Sequence, residues 1–167
     1  MFFTKEGRSA VISPDRVYRY ELRIWWDERQ PLVCFIMLNP STADEHKDDP
    51  TIKQCCKLAR RWGYGGIIVV NLYALRTPHP DKLSTVDDPQ GPGNLMYLLN
   101  AVRKSAEVVC AWGDHGGPRA FEVAKMLVKR NAKLFVLGFT KRGQPKHPLA
   151  RGKSRVSIFT PRIPWEP

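Results

Sequence analysis

The sequence predicts a three-layer α/β/α domain built on a central, mainly parallel four-stranded sheet, with an N-terminal β-hairpin beside it. Four short apolar runs alternate with segments of helical periodicity, which is the pattern of βαβ units. Each apolar run also ends abruptly in a polar or glycine-containing loop, as strands do at the site-forming edge of a parallel sheet. Because the chain has 167 residues, we expect a single domain over residues 1–167.

The first predicted elements are a hairpin and a buried strand. Residues 9–26 favour the hairpin, because a turn-rich Ser-Pro-Asp-Arg segment precedes a stretch in which Tyr18, Tyr20 and Leu22 alternate with Arg19 and other charged residues. Residues 32–38 are apolar throughout, as in a strand that is buried on both faces. The following Asn-Pro pair ends this strand, because proline has no N–H to donate to a ladder.

The remaining elements follow from capping signals and periodicity. Asp49 and Pro50 predict the start of a helix, as N-cap and first helical residue, and the glycines from Gly63 onward end it. Three further apolar strands are predicted at 67–70, 108–112 and 134–137. Two further helices are predicted at 94–104 and 118–130. We expect residues 156–159 to form an edge strand and residues 160–167 to form a surface tail.

The charge of the chain favours a polyanionic partner. Its net charge is +11 and its isoelectric point is near 9.8, which indicates nucleic acid most directly. Residues 140–160 contain basic residues and no acidic one: Lys141, Arg142, Lys146, Arg151, Lys153 and Arg155. A segment with charge of one sign is suited to contact phosphates.

Other features exclude several classes of protein. No run of 18 apolar residues is present, so no membrane span is expected. The first ten residues lack the long apolar segment of a signal peptide, and we expect the protein in the cytoplasm. The four cysteines have no CxxC spacing, which favours reduced core thiols over an iron–sulfur or zinc site.

Four short motifs, in order along the chain, resemble those of the uracil-DNA glycosylase superfamily. They are Met-Leu-Asn-Pro at 37–40, an apolar strand ending in Asn at 68–72, Ala-Trp-Gly at 111–113 and His-Pro at 147–148. The Asn-Pro pair is similar to that of the mismatch-type thymine and uracil branch, whereas the fast uracil enzymes carry a carboxylate there. The segments MLNPSTAD, DDPTI, RRWGYGG, VVNLYALR, AWGDHG and GQPKHPL are also similar to a widespread bacterial and phage family of unknown function.

The glycosylase resemblance implies a uracil-DNA-glycosylase-like fold and a site at the strand ends. It implies hydrolysis of the N-glycosidic bond of a flipped, damaged or modified base in single- or double-stranded DNA, without metal or cofactor. In this interpretation Asn39 positions the water and His147 donates to the base. Asp44 lies five residues after Asn39, and this spacing makes it a candidate general base near Asn39. The resemblance implies that Asn71 reads the base, and we expect Pro40, Ser41 and Tyr73 at the same base site. We expect nucleic-acid contacts from the basic residues Lys141, Arg142, Lys146 and Arg151, with Leu149 or Arg151 filling the gap left by a flipped nucleotide.

Two alternatives stay open at the level of sequence. The first is a non-catalytic nucleic-acid binder on the same fold that senses a modified base. The second is a metal-dependent nuclease or hydrolase in which Asp44, Asp48 and Asp49 bind Mg²⁺. Helix capping by Asp49 and a helix-dipole interaction of Asp48 explain the same carboxylates without a metal.

Overall fold

The computed structural model describes residues 6–153 and 155–167, which form one mixed sheet with helices on both faces. The strands are β1 (Gly7–Ile12), β2 (Arg19–Trp25), β3 (Leu32–Met37), β4 (Gly66–Asn71), β5 (Glu107–Cys110), β6 (Leu134–Val136) and β7 (Ile163–Pro164). The helices are α1 (Pro50–Arg61), α2 (Asn94–Arg103) and α3 (Gly117–Lys129). Short 3₁₀ turns lie at Pro80–Ser84 and Gly113–His115.

The sheet is larger than the sequence predicts. Its strand order within the described residues is β1-β2-β4-β3-β5-β6-β7. Strands β4, β3, β5 and β6 are parallel neighbours, whereas β1, β2 and β7 pair antiparallel. The predicted four-stranded sheet is therefore wrong in its extent. The hairpin pairs with the open edge of β4 and β7 covers the open edge of β6, so both become part of one seven-stranded sheet.

Alternation along β3 separates the core into two layers. Val33, Phe35 and Met37 pack on the face that α1 covers, and Cys34 and Ile36 pack on the face that α2 and α3 cover. All five side chains are buried, which explains why the strand is apolar without interruption. Burial of one large apolar side chain contributes about 1.5–3 kcal/mol to the stability of the fold. Because β3 buries such side chains on both faces, it stabilises the packing of both helical layers.

The start of α1 agrees with its capping signals. The side chain of Asp49 accepts a hydrogen bond from the backbone N–H of Ile52 at 2.9 Å, and Pro50 opens the helix. This cap fixes where the loop after β3 returns to the sheet. None of the helices in the described ranges is long and apolar enough to cross a membrane.

The predicted edge strand at residues 156–159 is wrong, and the predicted surface tail contains β7 instead. Arg162 explains this difference, because its guanidinium lies 5.3–5.5 Å from the ring centroids of Trp62, Tyr64 and Phe135. It also pairs with Glu107. These contacts dock the end of the chain against β6, where Trp165 N–H donates to the carbonyl of Leu134 at 2.9 Å.

A β-bulge reverses the alternation of β2. The register between β1 and β2 shifts so that Val11 pairs with Glu21 and Ile12 pairs with Arg19, which leaves Tyr20 as the extra residue. Tyr20 consequently stacks on Tyr97 of α2 at 5.0 Å, on the opposite face from Leu22. The prediction that places Tyr20 and Leu22 on one face is wrong for this reason. The bulge turns Arg19 inward beneath the loop after β3.

Candidate functional site

A cavity of about 410 Å³ lies at the carboxyl ends of β3 and β5. Its walls come from the loops that follow β3, β4, β5 and β6, from the start of α1 and from the start of β2. The polar side chains that line it belong to Arg19, Asn39, Ser41, Asp49, Thr51, Thr77, Asp114, His115, Thr140 and His147. The apolar residues include Met37, Leu38, Pro40, Ile52 and Trp112. This volume and this mixture are typical of a small-ligand site.

The orientation of the Asn39 amide is fixed by backbone carbonyls. Its Nδ2 donates to the carbonyl oxygens of Thr77 at 2.8 Å, Pro40 at 3.0 Å and Leu75 at 3.4 Å. Three carbonyls around one atom assign that atom as nitrogen, since an oxygen there would face only acceptors. Within residues 6–153 and 155–167, no donor reaches Oδ1. Asn39 therefore presents an acceptor to the cavity that it lines.

His147 offers the complementary donor. Its Nδ1 accepts a hydrogen bond from the N–H of Leu149 at 3.1 Å, so the proton of the neutral ring is on Nε2. Burial lowers the pKa of His147, against the opposing effect of the Asp49 charge. The ring is consequently neutral at pH 7 and carries an Nε2–H donor on the wall of the cavity.

The lowered pKa of His147 predicts a pH-dependent stability. An unfolded histidine takes up a proton near pH 6.5, whereas the buried ring resists it, so the free energy of unfolding falls as the pH drops below about 6.5. In His147→Asn, the side-chain oxygen keeps the bond to Leu149 N–H but does not titrate. We expect urea unfolding between about pH 7.5 and about pH 5 to show a smaller loss of stability in the variant. Equal losses in both proteins would contradict the assignment.

Arg19 is a site residue that sequence reasoning misses. It is 2% exposed and lines the cavity, where its Nη1 donates to the carbonyl of Ala43 at 2.7 Å. Burial lowers the pKa of Arg19 to about 10, partly offset by Asp49, so the guanidinium stays charged at pH 7. The apparent alternation of β2 puts Arg19 among the outward residues, and the sequence carries no signal of the bulge that turns it inward.

Asp49 has a second role, which its capping of α1 does not predict. It lines the cavity as well as capping α1. Its charge also raises the pKa of both Arg19 and His147, although burial dominates in each case. A carboxylate, a guanidinium and a neutral imidazole therefore share one wall.

Asp44 and Asp48 lie outside the cavity lining and are engaged by other groups. The N–H groups of His46 and Lys47 each donate to the Asp44 carboxylate at 2.9 Å, and these bonds lower its pKa. Asp48 pairs with Arg8 at 2.8 Å. Among the residues that the structure describes, no group of three or more His, Cys, Asp or Glu side chains is placed to hold a metal ion. Asp44 is not brought together with Asn39.

The residues assigned to the base site fall into two groups. Pro40 and Ser41 line the cavity, whereas Asn71 and Tyr73 do not. Tyr73 packs on the α2 and α3 side of the core. Asn71 is 1% exposed, and neither its Nδ2 nor its Oδ1 has a hydrogen-bond partner among the described residues. It pairs in register with Met37, which does line the cavity, so its amide lies close behind the wall.

The basic loop, residues 140–153, borders the cavity, but its charged side chains do not line it. Thr140, His147 and Ala150 of this loop line the wall, and Thr140 Oγ1 donates to Asp114 Oδ1 at 2.5 Å. The residues assigned to nucleic-acid contacts do not line it. Lys141, Arg142 and Arg151 are exposed, and Lys146 and Leu149 are half-buried. The segment that contributes Thr140, His147 and Ala150 to the cavity therefore also carries positive charge outside the cavity lining.

Comparison with known proteins gives a family but no activity. The profile of a family described as "Protein of unknown function (DUF1643)" matches residues 19–149. This range includes every cavity-lining residue named above except Ala150. No curated protein and no solved structure matches the chain significantly.

Proposed function

The chain belongs to the DUF1643 family of unknown function, and from its own geometry we propose that it hydrolyses the N-glycosidic bond of a base flipped out of DNA. The proposal rests on one observation. A fixed acceptor, Asn39 Oδ1, and a fixed donor, His147 Nε2–H, belong to residues that line the same cavity. This is the pair of groups that a water-dependent glycosylase needs without a metal ion.

The chemistry follows from the charges that develop as the bond breaks. The base leaves with the electron pair of the C–N bond, so the sugar becomes positive and the base negative. Asn39 Oδ1 accepts a hydrogen bond from the attacking water, whose oxygen bonds to the sugar carbon and whose proton ends on the base. His147 Nε2–H donates to the base as its negative charge develops, and the Asp49 carboxylate stabilises the positive sugar.

The arrangement of the loops also supports the proposal. Asn39 follows β3, Asn71 ends β4 and His147 follows β6, so all three come from the carboxyl ends of parallel strands. The glycosylase resemblance assigns its motifs to the same strand ends. A cavity of about 410 Å³ has room for a single base, which is compatible with a flipped nucleotide as substrate. The basic loop beside it is suited to contact the backbone phosphates.

Substitution of Asp49 separates its two roles. Asn is as good an N-cap as Asp, so Asp49→Asn keeps the cap and loses only the attraction of the charge for Arg19, and we expect it to lower the free energy of unfolding less than Asp49→Ala does. Because the variant removes the charge, we expect base release to fall about 10-fold or more. Asp49→Ala should lose activity and also about 1 kcal/mol of stability. Full activity in Asp49→Asn, measured beside urea unfolding, would remove Asp49 from the mechanism.

The proposal is tested by strand scission of labelled DNA. The substrates are single- and double-stranded oligonucleotides that carry uracil, hypoxanthine or a modified pyrimidine, incubated in EDTA and then treated with alkali to cut abasic sites. We expect alkali-dependent cleavage that Asn39→Ala loses. Thr42→Ala is the matched control, because Thr42 is exposed on the same loop and should leave cleavage unchanged.

Other outcomes would select a different function. Cleavage that needs no alkali and disappears in EDTA would indicate a metal-dependent nuclease. Tight, salt-dependent binding without cleavage of any substrate would indicate a protein that senses a base without excising it.

A further inference from the structure

We propose that Arg19 forms an oxyanion-binding subsite on the wall of the cavity, which takes a carboxylate or phosphate attached to a ring-sized body. This inference does not rest on base excision, because it concerns what the cavity binds and not what is done to it. It also does not involve Asn39 or His147.

The first step is that Arg19 is buried with no carboxylate at ion-pair distance among the described residues, although the more distant Asp49 charge raises its pKa. Its side chain is 2% exposed, and only Nη1 has an acceptor in the described part of the chain, the neutral carbonyl of Ala43. Its Nε is buried with no acceptor among the described residues, as are those of Arg8 and Arg76, so what sets Arg19 apart is the absence of a carboxylate within 4 Å. Isolated burial of a charged group is strongly unfavourable, so buried guanidinium groups are ordinarily paired with carboxylates.

The second step is a comparison with neighbouring arginines that support the same loop. Arg8 pairs with Asp48 at 2.8 Å, Arg16 pairs with Glu45 at 3.1 Å, and Arg76 lies 3.9 Å from Asp44. Each of these three has a carboxylate within 4 Å. The loop therefore contains enough carboxylates to pair its arginines, and the guanidinium that lines the cavity is left with a carbonyl.

The third step is the shape of the ligand. A guanidinium binds planar carboxylates and phosphates through parallel hydrogen bonds, and the pairing is stronger where water is excluded. The cavity places apolar side chains of Met37, Leu38 and Trp112 around this cation. These surfaces suit a flat ring, so the ligand we infer joins an oxyanion to an aromatic or heterocyclic body.

The test uses three small probes with the same ring, measured by calorimetry with the full chain. They are benzoate, phenyl phosphate and the neutral benzamide. We expect at least one anion to bind about 10-fold or more tightly than benzamide, and the tighter of the two shows whether the subsite prefers carboxylate or phosphate. In Arg19→Gln this preference should disappear.

Arg8→Gln is the matched control for a role in loop support. Arg8 donates to the carbonyl of Asp44 at 2.7 Å and pairs with Asp48, so it holds the same loop, but it does not line the cavity. We expect Arg8→Gln to keep the preference for the anion. If Arg8→Gln and Arg19→Gln lost the preference for the anion to the same degree, Arg19 would only support the loop, and the proposal would be overturned.

A measurement on the unmodified protein covers the case in which Arg19→Gln does not fold. The Arg19 Nε–H signal, assigned by through-bond correlation to the Arg19 backbone in ¹³C,¹⁵N-labelled protein, should shift on addition of the tighter anion and not of benzamide. Equal binding of all three probes, or no binding of any, would overturn the proposal. Because these probes contain no glycosidic bond, the result is independent of whether base release is found.

Discussion

Replacing Asn39 with aspartate is expected to destabilise the protein by about 2–4 kcal/mol, more than replacing it with alanine does. The Asn39 Nδ2 is surrounded by the carbonyls of Thr77, Pro40 and Leu75, and aspartate would place a carboxylate oxygen against these three acceptors. Alanine loses the same hydrogen bonds but adds no repulsion. Urea unfolding at about pH 8 measures both variants. Equal stability of Asn39→Asp and the unmodified protein would show that the amide is not held as described.

The pH dependence of Asn39→Asp provides an internal control. A protonated carboxyl can donate to one of the carbonyls, so the folded state raises the pKa of the introduced aspartate. The loss of unfolding free energy in Asn39→Asp, relative to the unmodified protein, is then largest at a pH above the raised pKa. This loss becomes smaller as the pH falls through the raised pKa. Both variants should lose base release by about 10²–10⁴-fold. A carboxylate at position 39 is therefore unsuited to the backbone around it.

Replacing Asn71 with leucine is expected to stabilise the folded protein by about 1–2 kcal/mol and to abolish base release. Both polar atoms of Asn71 are buried without partners, and a leucine of similar size removes that penalty. The proposal predicts that this amide pairs with the base when the ligand binds, so leucine should remove that contact. Unfolding curves and base release on the same preparation measure the two effects together.

Asn94 is the matched control for this substitution. It is also 1% exposed, but its Nδ2 donates to the carbonyls of Asn71 at 3.0 Å and Leu72 at 3.2 Å. We expect Asn94→Leu to destabilise the protein by about 1–3 kcal/mol, because it removes made hydrogen bonds. If Asn71→Leu were destabilising to the same degree and kept activity, Asn71 would have a structural role and no part in base recognition.

The elements that local chemistry determines could be predicted from the sequence. The Asp49 cap with Pro50 places the start of α1, and uninterrupted apolar residues identify β3 and β4 as buried strands. Asn39 and His147 could be predicted to meet, because the loops after parallel strands lie at one edge of the sheet. These inferences need only the periodicity and the turn chemistry of short segments.

The parts that depend on distant contacts could not be predicted. Strand β7 has two residues and exists because Arg162 docks on three aromatic rings from other elements. The bulge at Tyr20 depends on pairing with β1, so the inward position of Arg19 is invisible in its own segment. Asp44 was expected near Asn39 from its spacing, but backbone N–H groups and two arginines hold it elsewhere.

The proposed reaction is tested most directly by mass spectrometry of the products formed from DNA in ¹⁸O-labelled water. The substrate is DNA rich in modified bases, treated with the protein in EDTA, with Asn39→Ala as the inactive control. Hydrolysis of the N-glycosidic bond predicts a free base without ¹⁸O, released in equal amount with abasic sites that carry ¹⁸O on the sugar when they are trapped immediately. Release of nucleotides, or the absence of both free bases and abasic sites, would contradict the proposal that this cavity excises a base.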